Sequence, residues 1–546
     1  MAQQLYFSRD TRMFLQFRNT TDNTELAADL GKGALWEIPV LDGYSFSQTT
    51  NTSEITLAEM ESSAGISRRG RRMFTDSLAP AEWSFSTYIR PFKSLAGSVA
   101  SGVKAADAAN ETHAIEEALW ASMFGADKYN NNKFVRNVQP VSGSETDVIA
   151  PGADSSVITI QESNRSALHS FVLYFMIETD TTNPLLYRMP EAIVNEVTVD
   201  FDVDGIATLN WSGFAKEIQD RTANVKVSAG TTVAVANAHG TGSNLALGDL
   251  IVDTNNSRAV HIATNVGSTN ATILQAIDES TTSTQNFIRN RLTSVAIEAA
   301  DQSDKVAGTF PGQSVTVTGI TAANPAVVTA AAHGFAAGDV VRVTGTCGIS
   351  KSGADVLNGV DLTIASVTTD TFTTGLNLSS GTSGSFSGTP VAANGKYSLT
   401  LTGGSFNIGN NITYLVPEEL GAINKPLEHV TGTRTATGNA TCYLTLEDTD
   451  SSNGTSRQFF NDLVGTGAMN KVVNKFKVTM AIGGTAATAN ATDPALQLIF
   501  PTAHIEVPTH SIEDVISLET NFTALPTDFG SADEITSITY FKPATY

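Results

Sequence analysis

The two ends of this chain carry the same series of motifs twice, which limits the folds available to it. Five motifs between residues 36 and 217 recur in the same order between residues 397 and 529. The clearest is Leu-Trp-x-x-Met-Phe-Gly at 119–125, which recurs as Phe-Phe-x-x-Leu-Val-Gly at 459–465. One such match could arise by chance, but an ordered series could not, so the sequence predicts a duplicated domain.

The other four motifs are strand-like. Apolar residues alternate with polar ones in stretches such as 171–177 and 197–203, which predicts half-buried antiparallel strands. The matched motifs are 43–46 with 55–57 against 404–406 with 412–414, the alternating 83–89 against 440–446, 171–177 against 476–482, and 184–192 against 494–503.

Helix is predicted at one place in each copy. In 113–124, apolar residues recur every four positions and therefore share one face, and Gly125 offers a left-handed stop. The matching helix has Ser456 as its N-cap and ends at Gly465. Each copy is therefore expected to be a sheet that carries one helix.

Three segments of the first copy lie outside the repeat and are predicted to be loops or insertions. They are 60–73, 93–110 and roughly 130–155. The third is so rich in polar residues that it offers too little apolar surface to pack. Long loops on a rigid sheet usually make contacts with other molecules or are disordered at their tips.

The loop 60–73 contains the one dense basic run of the chain, formed by Arg68, Arg69, Arg71 and Arg72. Nucleic acid is one possible partner, but no aromatic residues are interleaved with these arginines, as single-strand binders usually require. An acidic neighbouring subunit is the favoured partner. Charge complementarity of that kind fixes the register of two subunits more than their affinity.

The charge balance excludes one large class of function. The chain has 33 basic and 55 acidic residues and a formal charge of −22. A protein that grips nucleic acid by neutralising phosphates needs the opposite balance, although nucleic acid could still slide past an acidic surface. Only 16% of the residues are charged, against about 25% in average soluble proteins. Such a neutral surface favours extensive contact with other subunits.

The cysteines and the N-terminal residues bear on the compartment. Cys347 and Cys442 are too few for a disulfide scaffold. The first ten residues lack the pattern of a secretory signal, and no stretch approaches the roughly 18 apolar residues of a membrane span. We therefore expect a soluble protein made in a cytoplasm, with no membrane partner.

The sequence contains no complete motif for catalysis or metal binding. Asp200, Asp202 and Asp204 imitate the start of an EF-hand loop, but the twelfth position is Trp211 instead of a bidentate Glu, which favours a solvated strand. His333 lacks any accompanying nucleophile motif and is expected to be structural. The chain also lacks phosphate-binding loops, Cys-x-x-Cys and His-Glu-x-x-His. We predict no enzyme activity, no catalytic residue, no metal and no cofactor.

Two segments separate the copies. Residues 223–284 are predicted to be a β-rich linker or small insertion. Residues 311–390 resemble the small β domain called FCCH, known from ubiquitin-activating enzymes and frequent in phage structural proteins. The stretches that carry this resemblance are Ala-His-Gly-Phe at 332–335, Gly-Asp-Val-Val-Arg-Val at 338–343, Leu-Asn-Gly at 357–359 and Asp-Thr-Phe at 370–372. Because 287–297 looks like the first strand of the second copy, the FCCH-like unit would be inserted into that copy.

The repeat, the one-helix sheet and the arginine loop together resemble the tail tube, or major tail, proteins of long-tailed bacteriophages. The stretches that carry this resemblance are 36–46 with 53–57, 81–90, 113–124, and 171–177 with 194–211. The resemblance covers nearly all of 1–220 and, more weakly, 285–300 with 396–530. It implies a mainly β fold with two tandem β-sandwich or barrel domains, each with one flanking helix, and a small inserted β domain.

The resemblance also implies domain boundaries. The first tail-tube-like domain would span 1–222, and the second would combine 285–310 with 391–546. Residues 223–284 would be the linker or small insertion, and 311–390 would be the FCCH-like domain on the exterior of the tube.

In function, the resemblance implies a virion protein that polymerises into stacked rings, which form the conduit for genome delivery. Some of these phages use two-domain tube proteins in trimeric rings with pseudo-sixfold symmetry, and the duplication predicts that stoichiometry here. Strands near 36–57 would join subunits, and Arg68, Arg69, Arg71 and Arg72 would form an inter-ring contact. Genomic DNA would pass without specific binding. Other partners would be the terminator, baseplate or tip, and tape measure proteins, in a tail assembled in the host cytoplasm.

Two other classes compete with this interpretation. A tail fibre, baseplate or host-surface adhesin built of tandem β domains would show exposed aromatic patches in its insertions and no assembly through strand edges. A capsid decoration protein is a third class, but two large tandem sandwiches exceed what that task needs.

Overall fold

The computed structural model of the chain consists mainly of antiparallel β-strands, which confirms the predicted fold class. The residues that the structure describes are 11–17, 35–55, 72–93, 111–130, 133–137, 145–160, 168–177, 185–221, 232–234, 248–252, 260–266, 270–277, 287–300, 305, 310–345, 349–351, 354–355, 357–380, 382–383, 390–417, 424–445, 454–464, 475–483, 495–528 and 531–541.

Among its described residues, the first copy contains sixteen strands and one helix. They are β1 (Thr11–Phe17), β2 (Leu35–Glu37), β3 (Ser45–Ser47), β4 (Thr50–Ile55), β5 (Arg72–Leu78), β6 (Ala81–Tyr88), β7 (Pro91–Lys93), β8 (Thr112–Ala114), α1 (Glu117–Met123), β9 (Lys128–Asn130), β10 (Lys133–Asn137), β11 (Glu145–Pro151), β12 (Ser155–Ile158), β13 (Phe171–Ile177), β14 (Leu185–Asp202), β15 (Thr208–Ala215) and β16 (Gln219–Asp220).

One long strand, β14, belongs to both sheets of the first copy. Its first half pairs with β13, beyond which lie β1 and β2. Its second half pairs with β15, beyond which lie β6 and β3. The apolar faces of both sheets and α1 form one core, in which the rings of Trp120 and Trp211 lie edge to face at 4.9 Å. Such aromatic contacts supply large buried area at low entropic cost.

A four-stranded sheet of its own follows the first copy. Its strands are β17 (Thr232–Ala234), β18 (Leu250–Val252), β19 (Val260–Val266) and β20 (Asn270–Ile277). Leu250, Val260 and Ile262 pack against Val172 and Tyr174, on the side of β13 that faces away from the main core. Arg188 and Asp249 form an ion pair at 3.3 Å in the same contact.

This contact corrects the prediction for 171–177. The alternation predicted a half-buried strand, but β13 is buried on both faces up to Met176. The aromatic and aliphatic residues at the alternate positions are therefore core residues of a second cluster. Part of the segment between the copies provides the cover that makes this possible.

The next strands form the start of the second copy and the small unit inserted after it. They are β21 (Ser294–Ala299), preceded by a 3-10 turn at Asn290–Leu292, and then β22 (Ser314–Thr316), β23 (Gly319–Ile320), β24 (Val327–Thr329), β25 (Val340–Thr344), β26 (Ile349–Lys351), β27 (Ala354–Asp355), β28 (Val360–Val367), β29 (Thr371–Thr374), β30 (Thr382–Ser383) and β31 (Val391–Ala393). The small unit has its own core around Phe335 and Phe372. Lys305 donates to the Val340 carbonyl at 3.1 Å and thereby ties this unit to the second copy.

The remaining strands complete the second copy. They are β32 (Lys396–Leu399), β33 (Leu401–Gly409), β34 (Thr413–Leu415), β35 (Glu428–Val430), β36 (Thr435–Tyr443), α2 (Ser456–Val464), β37 (Phe476–Ile482), β38 (Ala495–Ile505), β39 (Thr509–Ser511), β40 (Ser517–Ala524) and β41 (Ser537–Phe541).

The second copy repeats the pairing of the first. The strand order β32, β21, β37, β38 in the second copy matches the order β2, β1, β13, β14 in the first. In the sequence, the strands of the small unit lie between β21 and β32. The order β38, β40, β36, β33 follows β14, β15, β6, β3. The hairpin of β34 and β35 corresponds to that of β4 and β5. The domain boundaries themselves stay predictions.

The helices agree only partly with the predictions. Helix α1 begins at Glu117, four residues later than predicted, because Thr112–Ala114 is extended and pairs with β7. The φ of Gly125 is +86°, which confirms the left-handed stop. For α2, the side chain that accepts the capping bond from the N–H of Gln458 belongs to Thr455 and not to Ser456. Gly465 lies outside the described residues.

The prediction of a loop at 130–155 is wrong. Strands β10 and β11 occupy much of it and bury Phe134, Val148 and Ile149. These few apolar residues suffice because they pack onto α1 and the core of the first copy, and need no core of their own. Val203, predicted to continue the buried face of β14, is 49% exposed because the strand ends at Asp202.

The two copies conserve a steric fit while exchanging the residues that make it. In the first copy Trp83 lies opposite Gly213, and in the second Gly438 lies opposite Phe522. A Cβ on Gly213 would lie 2.4 Å from the Trp83 ring, and a Cβ on Gly438 would lie 2.4 Å from the Phe522 ring. Each copy therefore has one large and one absent side chain at the same cross-strand pair.

This fit generates a prediction for stability. Gly213→Ala should lower the free energy of unfolding by about 1–3 kcal/mol, the usual cost of overpacking, because the Ile193 carbonyl and Trp83 leave no room for a methyl group. Gly375→Ala is the matched control, since no atom lies within 4 Å of its Cβ position. Urea unfolding of the two variants tests the fit, and an equal, small effect of both would contradict it.

Candidate assembly interface

The two copies are joined by a continuous antiparallel sheet. Strand β14 of the first copy pairs with β33 of the second over seven residue pairs, from Glu196 with Gly409 to Asp202 with Gly403. Val199 lies opposite Phe406 at the middle of this junction. We call this strand pair the seam. Its backbone hydrogen bonds satisfy one edge of each copy.

A second layer of contacts covers one end of the seam. The Asn195 side chain accepts a bond from the N–H of Ile412 at 2.7 Å, and the Asn195 carbonyl accepts one from the N–H of Asn410 at 2.7 Å. The hairpin of β34 and β35 then lies over the first copy. Ile412 and Tyr414 pack there against Leu168 and Ile193.

Each copy also has a strand that corresponds to one strand of the seam but, among the described strands, has a partner on one side only. Strand β3 occupies the place of β33, because Phe46 lies opposite Trp83 as Phe406 lies opposite Gly438. In the described part of the chain, β3 pairs with β6 alone. We call the outer side of β3 the left edge.

The second counterpart is at the other end of the chain. Strand β39 occupies the place of the second half of β14, because His510 lies opposite Leu518 as Val199 lies opposite Leu209. Among described strands β39 pairs with β40 alone. We call its outer side the right edge.

Exposed apolar side chains lie just before and just after the strand of the right edge. Val507 is 53% exposed, Ile512 81% and Val515 60%. The corresponding turn of the first copy, at 202–205, consists of Asp and Gly residues apart from Val203, which is also exposed. Clustered exposed apolar residues beside an open strand edge are typical of an interface.

A third link between the copies is the strand β41. It pairs with β38 of the second copy on one side and with β12 of the first copy on the other. Tyr540 on this strand is buried, receives a hydrogen bond from the Trp120 indole N–H at 2.7 Å, and donates its hydroxyl to Glu116 Oε1 at 2.7 Å. The strand thereby locks the two copies together.

Burial dominates the electrostatics of this lock. It raises the pKa of Glu116 to about 7, against the lowering effects of the Tyr540 hydrogen bond and the nearby Arg90. The adjacent carboxylate of Glu117 adds to the increase. Burial also raises the pKa of Tyr540 well above its usual range. The Tyr540 hydroxyl therefore stays protonated and acts as a donor.

The four arginines of the predicted contact loop are described only at its end. Arg68, Arg69 and Arg71 lie outside the described residues. Arg72 is the first residue of β5, opposite Ile55, and its side chain lies outside the described part. The loop therefore joins the two strands of the hairpin β4 and β5, which corresponds to the hairpin that covers the seam.

The other residues considered from the sequence have structural contacts. Asp202 Oδ1 accepts bonds from the N–H of Gly205 at 2.7 Å and from the Asn290 amide at 3.3 Å. The His333 ring accepts a bond from the N–H of Phe335 at 3.0 Å and lies in the aromatic core of the small unit. Within the described residues, no group of three or more His, Cys, Asp or Glu side chains is arranged to hold a metal ion. None of the described helices has the length and apolar character of a membrane span.

Sequence reasoning missed the seam and the lock. It did not identify the pairing of β14 with β33 within the chain. Its assignment of subunit joining to strands near 36–57, which include β3, stays a prediction. Glu116 and Glu117 did carry a signal, because two adjacent acids lie in an otherwise apolar helical stretch. Tyr540 carried none, since its partners are more than 400 positions away.

The fold and interface define a duplicated β protein whose copies join edge to edge. No protein family model matches the chain. A curated protein, the tail tube protein pb6 of Escherichia phage T5, is 36% identical over 141 residues, which are 26% of this chain and 28% of that protein. The chain thus covers less than a third of the length of this relative. The similarity confirms the resemblance to phage tail tube proteins.

The lock generates a prediction for pH dependence. Because the pKa of Glu116 is about 7 in the folded chain and near 4.5 when unfolded, the folded chain keeps a proton that the unfolded chain loses between these values. This group should therefore lower the free energy of unfolding by up to about 1.4 kcal/mol for each pH unit as the pH rises through that window. Glu116→Gln should remove this component.

Urea unfolding at about pH 5 and about pH 7 measures the effect, and the exposed Glu519→Gln serves as the control. The wild-type chain and the control should lose more stability over this interval than Glu116→Gln. Equal losses in all three proteins would show that Glu116 does not hold its proton in the folded state.

Proposed function

We propose that this chain is a structural virion protein that polymerises into stacked rings and forms a phage tail tube, the conduit for genome delivery. The seam carries this proposal. It joins two similar copies through an edge pairing, and the chain presents the two edges needed to repeat the same pairing between molecules. The similarity to the tail tube protein of phage T5 supports the role.

The register of the contact between chains follows from the seam. If the right edge of one chain meets the left edge of the next as β14 meets β33, His510 lies opposite Phe46, as Val199 lies opposite Phe406. Thr509 then lies opposite Ser47, and Ser511 lies opposite Ser45. All these strands are antiparallel, so the new pair extends the sheet without interruption.

This contact is heterologous, because a left edge meets a right edge. Heterologous contacts generate closed rings when the rotation per subunit divides a full turn, and open filaments when it does not. With two copies per chain, a ring of six copies requires three chains. We propose a trimer with pseudo-sixfold symmetry, in which every strand edge of this kind is paired.

The charge of the chain suits a conduit. With a formal charge of −22, a ring repels the phosphates of DNA and lets them pass without specific binding. The small unit at 311–390 would lie on the exterior as decoration. Ring stacking would end at terminator and at baseplate or tip proteins, and a tape measure protein would occupy the lumen during assembly in the host cytoplasm.

Ring closure is tested at the right edge. Ile512 is 81% exposed, so Ile512→Asp should leave the fold of the monomer intact while placing a charge in the contact between chains. Negative-stain microscopy and native mass spectrometry should show threefold rings of the wild-type chain and monomers of the variant. The control is Val367→Asp, a 40% exposed position of the small unit.

Two results would overturn the closure. A wild-type chain that stays monomeric or forms compact particles without a central hole would favour the adhesin class. An Ile512→Asp variant that forms the same rings would show that the right edge takes no part.

Ring stacking is tested at the arginine loop. Replacement of Arg68, Arg69, Arg71 and Arg72 by Gln should leave rings intact but shorten or abolish tubes, because the charges that align adjacent rings are lost. Sedimentation and microscopy at low and high salt measure tube length. Tubes of normal length from the variant would assign stacking to another surface.

A further inference from the structure

The segment 287–291, which leads into the second copy, lies against the turn between β14 and β15 of the first copy. The carbonyl of Ile288 accepts a bond from the N–H of Ala207 at 2.9 Å, and the N–H of Asn290 donates to the Gly205 carbonyl at 3.0 Å. Ile288 is fully buried there. The ring of Phe287 meets that of Tyr88 edge to face at 5.6 Å. The segment 287–291 thus covers the turn between β14 and β15.

The corresponding turn of the second copy has the same backbone geometry. The N–H of Leu444 donates to the Ile516 carbonyl at 3.0 Å, as the N–H of Ile89 donates to the Ala207 carbonyl at 3.0 Å. Tyr443 lies opposite Ser517 as Tyr88 lies opposite Thr208. The second copy therefore repeats the surface on which 287–291 lies.

The difference between the two turns is exposure. Ala207 is fully buried beneath Ile288, whereas Ile516 is 39% exposed and Tyr443 is 43% exposed. Val515 beside them is 60% exposed, against 43% for Ile206, its counterpart in the first turn. The second turn therefore presents a surface, made of 443–444 and 512–516, on which exposed apolar side chains flank the exposed acids Glu513 and Asp514. Its backbone hydrogen bonds match those of the turn on which 287–291 lies. We call it the second-turn surface.

The strand register identifies the matching segment. In β1, Phe17 lies opposite Phe171, and in β21 Ala299 lies opposite Phe476, the repeat partner of Phe171. The residues that precede β1 therefore correspond to those that precede β21 at an offset of 282 positions, obtained as 299 minus 17. In the sequence, Leu-Tyr-Phe-Ser-Arg-Asp-Thr at 5–11 then aligns with Phe-Ile-Arg-Asn-Arg-Leu-Thr at 287–293.

This alignment preserves the character of the contact residues. Leu5 takes the place of Phe287, Tyr6 takes that of the buried Ile288, and Ser8 takes that of the polar Asn290. Along the chain, the segment 287–291 precedes the second copy, whose strand β33 pairs with β14. Likewise, the segment 5–9 precedes the first copy, which carries the left edge. In the proposed ring, that left edge pairs with the right edge of the neighbouring chain, and the second-turn surface lies beside this right edge.

We propose that residues 5–9 of one chain bind the second-turn surface of the neighbouring chain, with Leu5 on Tyr443 and Tyr6 over Ile516. The inference rests on the proposed ring and adds a second contact between its chains. The ring is then held by an exchanged segment as well as by the strand pair. The partner is a second copy of this chain.

Photo-crosslinking locates the segment in the assembled full-length chain. With p-benzoylphenylalanine at position 5, rings of mixed isotope labelling should give links to 443–444 or 512–516 of a differently labelled chain. The same amino acid at position 287 is the matched control and should link to the first-copy turn of its own chain. Links from position 5 only within one chain, or to another surface, would overturn the proposal.

A variant measures the strength of this contact. Leu5→Ser with Tyr6→Ser should raise the concentration needed for ring assembly about tenfold or more, because two apolar side chains lose their burial. Gln3→Ala with Gln4→Ala, outside the aligned stretch, should assemble as the wild-type chain does. Equal assembly of all three would overturn the inference while leaving the ring in place. A wild-type chain that never assembles would refute the ring itself, and this inference with it.

Discussion

The pairing of β14 with β33 fixes how the two copies lie against each other. An antiparallel sheet that ends in an open edge leaves backbone N–H and C=O groups to water or to another chain. Within one molecule the seam satisfies one such pair of edges and fixes the relative position of the copies. The edges at Phe46 and His510 keep the same pairing capacity for a neighbour. The proposed assembly repeats a contact that the chain already makes.

The links between the copies differ in chemistry. The seam is a backbone contact, which tolerates many side chains, whereas the lock at Tyr540 depends on one hydrogen-bonded chain from Trp120 to Glu116. A backbone contact suits an interface that must occur both within and between molecules. A side-chain lock suits a contact made once, because a buried polar group must find its own partner.

Sequence periodicity predicted where strands lie better than it predicted which of their faces are buried. Strand β13 was located correctly, but its second buried face was missed because the cover comes from Leu250 and Ile262, about 80 positions away. The repeat was visible in apolar patterns, yet the exchange of Trp83 and Gly213 for Gly438 and Phe522 hid one of its closest steric matches. Such pair exchanges preserve volume while erasing sequence similarity. The seam could not be predicted from the sequence, because the residues of a strand do not show which other strand pairs with its edge.

In the proposed assembly, chains join in the register of the seam. A reconstruction of the assembled tube by electron cryomicroscopy tests it directly, because strand register can be read at the contact between chains. We expect an added antiparallel pair in which Phe46 lies opposite His510 of the next chain, with three chains in each ring. A ring in which β3 and β39 remain unpaired, or meet other strands, would contradict it.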